Sequence, residues 1–274
     1  AAIRRFGLGY APEDFVGLLH YLRHRGFTEP ELESSGLVKR SAKGNLYDIF
    51  RHRVMVPIID VRGNIIAFGG RVMDDSKPKY INSPETMVYH KSRTLFALNV
   101  AKKSTSKRYI LCEGYMDVIS MHEAGFDTAV CACGTALTPE QVKLLTEYAD
   151  EVVLSYDSDE AGQKATERSL ALFSGTNLQV RVLNIPGAKD PDEFIKALGA
   201  EEYEKRNREL RKVRRFLREK GQKTTFEINL QQTFDLFLEE AERVTEDVRS
   251  YGSLLDAREC EESGSFCHGD YQHH

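Results

Sequence analysis

The chain has 274 residues, 41% hydrophobic and 29% charged, with a formal net charge of −4, enough for two modest domains that each bury a core. No apolar run approaches the ~20 residues a membrane helix needs, and no charged opening followed by an apolar stretch marks a secretory leader; the expected location is cytoplasmic, and a start at Ala1 suggests a fragment. The small net charge hides an asymmetry: residues 1–106 hold 17 Lys and Arg against 10 Asp and Glu, whereas residues 107–199 hold 8 against 15, a pairing that fits a polyanion track leading to a metal site.

In chain order, Phe6-Gly-Leu-Gly-Tyr-Ala-Pro12 is rich in turn residues and precedes a helical pattern from Glu13 to Arg25, with Phe15, Leu18, Leu19 and Leu22 on one stripe. A short helix is expected around Glu29 to Ser34. Arg51 to Asp60 and Ile65 to Phe68, joined through Gly63 and Asn64 and closed by Gly69-Gly70-Arg71, read as a hairpin. Lys77 to Glu85, with two prolines, reads as an ordered surface loop. Arg51, Arg53, Arg71, Lys77, Lys79, Lys91 and Arg93, interleaved with Tyr80 and Tyr89, form a set suited to a single-strand groove, where cations neutralise the backbone and rings stack on bases. Any one of them alone reads as a solvated surface charge.

From Arg108 to Ile185 apolar runs at Tyr109 to Cys112, Thr128 to Cys133, Glu151 to Tyr156 and Gln179 to Ile185 alternate with helical patterns at Asp117 to Ala124, Pro139 to Tyr148 and Ala161 to Phe173. Strands alternating with helices through short links specify a parallel sheet with right-handed crossovers, and Thr138-Pro139 supplies an N-cap followed by proline at the first helical position. The remainder is charged and helical from Glu201 to Lys220 and from about Asn229 to Val248; residues after Gly252 are polar and aperiodic, which reads as disorder. The expected division is 1–106, a basic α+β subdomain; 107–199, the parallel-sheet subdomain; 200–252, a helical segment; and 253–274, a tail.

Carboxylates stand at matched positions beyond these strands: Glu113 after the first, Asp157 and Asp159 after the third, Asp190 and Asp192 after the fourth, and Asp117 one turn beyond Glu113. Open α/β folds place ligands at this edge. Crowded carboxylates resist ionisation unless a cation compensates, and Mg²⁺ or Mn²⁺ does so through oxygen ligands while keeping waters for phosphates. Each acidic group alone reads as a turn or a helix cap. Cys112, Cys131 and Cys133 lie in apolar runs and read as buried hydrophobes; Cys260, Cys267 and His268 lack a paired zinc spacing, so no zinc is expected.

Glu113-Gly-Tyr-Met-Asp117-Val-Ile, Gly134-Thr-Ala-Leu-Thr138, Asp157-Ser-Asp159-Glu-Ala-Gly162 and Asp190-Pro-Asp192 together resemble the Toprim signature of bacterial DnaG-type DNA primases. The first half resembles that family's polymerase core at Phe6 to Pro12, Phe50-Arg-His-Arg-Val-Met-Val-Pro57, Phe68-Gly-Gly-Arg71 and Pro78 to Thr86. The resemblance implies a Toprim-type four-stranded parallel sheet with flanking helices, preceded by a mixed α+β basic subdomain and followed by a helical C-terminal segment. It makes Glu113, Asp157 and Asp159 the catalytic metal ligands, with Asp117, Asp190 and Asp192 completing the site. Arg71, Lys79, Asn82 and Lys91 then lie near the template and incoming nucleotide. The implied activity is RNA primer synthesis on single-stranded DNA from ribonucleoside triphosphates, by a monomer that reaches a replicative helicase through a further domain. Another Toprim phosphodiester enzyme such as a nuclease, or a module that only binds nucleic acid, is the alternative. Departures are Ser158 where the pattern usually has Gly, Val56 where Phe is common, and no zinc-ribbon cysteines before Phe6.

Overall fold

The computed structural model describes residues 2–134, 136–183 and 190–219, with side chains through 205. The expected helix at 229–248, the tail beyond Gly252, the end of the fourth strand at 184–185 and Thr135 lie outside the described residues.

The basic half begins with α1 (Ala2–Phe6), β1 (Gly9–Ala11), α2 (Gly17–His24), α3 (Glu29–Ser34), and the short hairpin of β2 (Val38–Arg40) and β3 (Leu46–Asp48). Helix α2 starts later than its hydrophobic stripe suggests, because the Asp14 carboxylate folds back to accept the Val16 N–H at 2.9 Å. The free N–H groups of its first turn are taken by a residue distant in sequence: buried Asp48 accepts from Leu18 at 2.8 Å and from Leu19 at 2.9 Å, which ties helix to hairpin and satisfies donors no local cap reaches. Helix α3 has a local solution, since Thr28 and Glu31 form a capping box.

The long hairpin forms as the pattern dictates, with β4 (Arg53–Ile59) antiparallel to β5 (Ile65–Val72). Its turn is built by Asp60, whose carboxylate accepts from Arg62 and Asn64, around Gly63 at φ +99°, where a side chain would be strained. The stretch read as a loop contributes a strand, β6 (Tyr80–Asn82), antiparallel to β5. It is three residues long, with Pro78 and Pro84 just outside it, too brief for periodicity to register. The sheet order is β1-β4-β5-β6.

The basic half ends with β7 (Leu95–Phe96) and α4 (Leu98–Ala101); the acidic half alternates β8 (Arg108–Cys112), α5 (Tyr115–Glu123), β9 (Ala129–Ala132), α6 (Pro139–Thr146), β10 (Glu151–Ser155), α7 (Glu160–Phe173) and β11 (Gln179–Val182) before α8 (Pro191–Glu219), which breaks at Gly199. Strands β11, β10, β8 and β9 are parallel in that order, as expected. Two-residue β7 adds a fifth, antiparallel strand at the edge of this four-stranded parallel sheet, against β9. Thr138 caps α6, accepting the Gln141 N–H at 3.1 Å ahead of Pro139.

One hydrophobic core crosses the junction. Phe6, Val56, Ile58, Ala67 and Phe96 from the first half pack with Ile110, Tyr115 and Val118 from the second; the Phe6 ring lies 5.8 Å from Phe96 and edge-on to His122 at 5.2 Å. A second core, with Leu111, Leu145, Val152, Leu154 and Phe173, fills the sheet's other face under α6 and α7. Among the described residues no helix is long and apolar enough to cross a membrane.

Replacing Asp48 by Ala strips α2 of its cap from across the hairpin. The expected cost is about 1–2 kcal/mol of unfolding free energy, read as a lower denaturant midpoint at unchanged slope; an unchanged midpoint would mean α2 holds its first turn without Asp48.

Candidate active site

Three of the acids, Asp117, Asp159 and Asp190, share one local device: each carboxylate accepts a backbone N–H at the start of a helix. Glu113 directly follows β8, is exposed, and accepts the Asp157 N–H at 3.4 Å across the gap to β10. Asp159 caps α7, accepting from Gly162 at 2.9 Å. A side chain on Gly162 would strike the Asp157 carbonyl, since a Cβ there would lie 2.0 Å from it; the glycine lets the loop carrying Asp157 sit directly over the helix start. Asp190 accepts from Glu193 at 2.8 Å ahead of α8, and Asp192 in the first turn is held by the Ser120 hydroxyl and by Lys196 at 2.6 Å.

Asp117 is where the crowding is felt. It sits in the first turn of α5 and accepts the Gly114 N–H at 3.0 Å. Its carboxyl is nevertheless pushed up to about 7, first because burial strips its water and then because Asp190, Asp157 and Asp192 oppose its charge; the Gly114 hydrogen bond offsets only part. Among the described residues no three Asp, Glu, His or Cys side chains converge tightly enough to cage an ion. The donor set is all oxygen, with exposed Glu113 and Asp159 at its outer side, which fits Mg²⁺ or Mn²⁺: such ions use one or two carboxylates and fill the remaining positions with water and phosphate oxygens. The Cys112 and Cys131 thiols, driven well up by burial, remain neutral and do not add to the set.

The cations divide by environment. Arg71 donates to the Tyr80 hydroxyl at 3.1 Å and also stacks over its ring, at 5.9 Å, while Lys79 stands 6.0 Å from the same centroid. Tyr80 is itself close enough to Asp117 and Asp190 for their charges to raise its pKa, after the larger effect of burial. The strand that carries Tyr80 is joined to the first turn of α5, where Asp117 sits, by the Tyr115 hydroxyl, which donates to Asn82 at 2.8 Å. Lys77 is exposed in the preceding loop. Lys91 opens a 3₁₀ turn whose carbonyls are gripped from the other half: fully buried Gln141 donates to those of Lys91 and Thr94, both at 2.8 Å, and the Thr138 hydroxyl to that of Ser92 at 2.6 Å. Arg51 packs over Phe15 at 4.5 Å and Tyr47 at 5.5 Å, and with Phe15, Lys39, His52 and Lys91 it lines an open cleft of about 860 Å³.

Two residues expected in the groove, Arg53 and Asn82, line the same cleft and also hold the surrounding chain. Arg53 is 7% exposed and donates to the carbonyls of Gly70, Lys79 and Pro78 at 3.2, 3.3 and 2.9 Å, pinning the strand that presents Lys79. Asn82 gives its amide to the protein, accepting from the Tyr115 hydroxyl at 2.8 Å and donating to the Cys133 carbonyl at 3.3 Å. Gln141 and Tyr115 were not singled out from the sequence. Gln141 shows there only as the third residue of a capping box, and Tyr115 as an unremarked letter between Glu113 and Asp117.

The chain matches the family described as "DNA primase catalytic core, N-terminal domain" over residues 1–102 and the family described as "Toprim-like" over 110–195. It is 48% identical over 202 residues to a DNA primase of Clostridium acetobutylicum, covering 73% of this chain and 34% of that protein, and 42% identical over 214 residues to one of Synechococcus elongatus, covering 74% and 31%. It thus spans about a third of the length of these curated relatives. Among solved structures, a DnaG primase catalytic domain bound to ssDNA superposes with a TM-score of 0.68 at 36% identity, covering 75% of this chain and 68% of that one. The E. coli primase catalytic core gives 0.69 at 36% identity over 75% and 67%.

The raised carboxyl of Asp117 has a pH signature. A folded-state pKa near 7, above the unfolded value of about 4, means the folded form holds a proton the unfolded form has released, so this group's stabilisation is complete below about pH 4 and is lost as pH rises through about 7. Without divalent cation, Asp117→Asn should gain stability over wild type steadily between pH 5 and pH 8, and at pH 8 Mg²⁺ should raise the melting temperature of wild type more than that of the variant. A stability difference that shrinks with pH would overturn the assignment.

Proposed function

Because the chain belongs to the DnaG-type primase catalytic-core family, we propose that it is an RNA polymerase core that makes short RNA primers on single-stranded DNA. The observation that carries this reading is the link between the two oppositely charged edges: β6, where Arg71 and Lys79 gather on the Tyr80 ring, is joined through Asn82 to Tyr115 in the first turn of α5, two residues from Asp117. A nucleoside triphosphate needs both, cations along its phosphates and acids that hold a divalent ion where the α-phosphate is attacked. The solved relative bound to ssDNA supports a single strand as template.

In this reading Lys79, Arg71, Lys77 and Lys91 neutralise phosphate oxygens, which positions the strand and nucleotide without reading sequence. The exposed part of the Tyr80 ring offers a stacking surface, and Arg51 supplies charge along the cleft. Glu113, Asp157 and Asp159 hold Mg²⁺ or Mn²⁺, with Asp117, Asp190 and Asp192 adding negative charge around it. When bound, the cation lowers the pKa of the attacking 3′-hydroxyl and neutralises charge on the attacking and leaving oxygens as pyrophosphate departs. Gly114, Gly162 and Glu193 N–H groups keep Asp117, Asp159 and Asp190 oriented before the ion arrives, so little reorganisation accompanies the reaction.

With single-stranded template, labelled ribonucleotides and Mg²⁺, the chain should form oligoribonucleotides; binding without product, or cleavage of the template instead, would overturn the proposal. Glu113→Gln and Asp157→Asn should lower synthesis by about 10²-fold or more while template affinity stays within a few-fold; synthesis at the wild-type rate in Glu113→Gln would remove Glu113 from the metal site. Lys79→Ala should instead weaken template binding and reduce the slope of log affinity against log salt by about 0.7.

A further inference from the structure

Two backbones carry the chemistry, the β6 strand with Lys79 and Tyr80 at its start and the first turn of α5 with Asp117, and one pair of side chains joins them. The Tyr115 hydroxyl, from that same turn, donates to Asn82 Oδ1 at 2.8 Å, and Asn82 Nδ2 donates onward to the carbonyl of Cys133 beyond β9 at 3.3 Å. The fit is made by glycines. A Cβ on Gly69, opposite Asn82 in the β5–β6 ladder, would lie 2.6 Å from the Tyr115 ring; a Cβ on Gly134 would lie 2.0 Å from Asn82 Nδ2, and Gly134 has φ +74°. The Tyr115 ring is also held edge-on to Phe96 at 4.9 Å and is 4% exposed.

We propose that Tyr115 and Asn82 are positioning residues that set the distance between the cationic strand and the acid edge, Asn82 acting through Tyr115 and Cys133 rather than by touching the nucleotide. The hydrogen bonds run between the two halves, and they fall beside the residues whose separation matters. Arg53 stiffens the same strand from its other side through the carbonyls of Lys79 and Pro78, so a movement of β6 at Asn82 carries Lys79 and Tyr80 with it. A misplacement of about 1 Å between reacting groups costs on the order of 10²-fold in rate, and loss of the Tyr115 hydroxyl removes the side-chain hydrogen bond between β6 and the first turn of α5.

This inference rests on the proposed primer synthesis, and its test separates the two. Tyr115→Phe keeps the ring and its packing and removes only the hydroxyl. In the full chain, at a temperature below the melting transition of every variant, it should lower kcat for primer synthesis about tenfold to a hundredfold and raise the Mg²⁺ concentration needed for half-maximal rate. Asn82→Ala should give a similar loss, and the double variant should be no worse than the more severe single one, because one linkage is cut in each. Wild-type kcat in folded Tyr115→Phe, or losses that multiply in the double variant, would overturn the proposal; should Tyr115→Phe not fold, wild-type kcat in folded Asn82→Ala would overturn it alone. Amide hydrogen exchange provides a readout free of activity: Tyr115→Phe should speed exchange in β6 and in the first turn of α5 while β10 is unchanged. If the wild-type chain makes no primers, the polymerase reading fails while the exchange result still decides whether the linkage holds the two edges. A role in packing alone would lower the melting temperature and leave kcat and the Mg²⁺ dependence untouched.

Discussion

Negative charge that cannot be fully ionised is the constraint on which the rest of this molecule depends. The parallel sheet brings four strand ends to one edge, and that edge receives Glu113, Asp117, Asp157, Asp159, Asp190 and Asp192. In bare protein Asp117 shows the cost: its carboxyl rises to about 7, first through burial and then through the charges of Asp190, Asp157 and Asp192. A fold under no functional demand would dilute these charges, since each crowded carboxylate works against the compact state. The surrounding structure instead keeps them in place by giving several a backbone N–H of their own. Helix N-termini are suited to this because their first-turn donors have no other partner.

The basic half is the counterpart, but charge alone does not describe how it is built. Of the cations that sequence reading groups together, Arg71 and Lys79 converge on the face of Tyr80, Arg51 is parked over Phe15 and Tyr47, and Arg53 is consumed by three carbonyls. A guanidinium in a strand interior must find acceptors, because burying an unpaired charge is costly. Arg53 finds them at Gly70 in β5 and at Pro78 and Lys79 in the next loop, so a charged residue at the cleft also holds the strand that presents Lys79.

The parallel strands, the long hairpin and the helix at Thr138-Pro139 were legible because each is written in local terms, an apolar run, a turn at glycine or a cap. Strands β6 and β7 were not, being three and two residues long: at that length pairing is decided by the neighbour, and no period can form. The acidic edge was legible for the same reason as the sheet, since a carboxylate just after a strand has one place to go. What sequence could not distinguish was a charge facing solvent from one turned inward, as with Arg53, or a polar group aimed at a ligand from one aimed at another part of the chain, as with Asn82. Those depend on partners 17 to 51 residues away, and spacing along the chain carries no information about them.

The core shared by the two halves has a consequence for how such a molecule can change. Residues 1–102 and 110–195 match separate families, yet Phe6, Val56, Ile58, Ala67 and Phe96 are buried in the same cluster as Ile110, Tyr115 and Val118. Inheritance modules and the unit of cooperative folding therefore do not coincide. A Toprim-like segment exchanged from a distant relative would arrive with a surface shaped for a different partner, and cavities of a few methylene groups at that junction cost several kcal/mol, comparable to the whole stability margin. The two halves are bound to evolve as one: a change in volume at Phe6 or Ala67 is compensated across the seam or not at all.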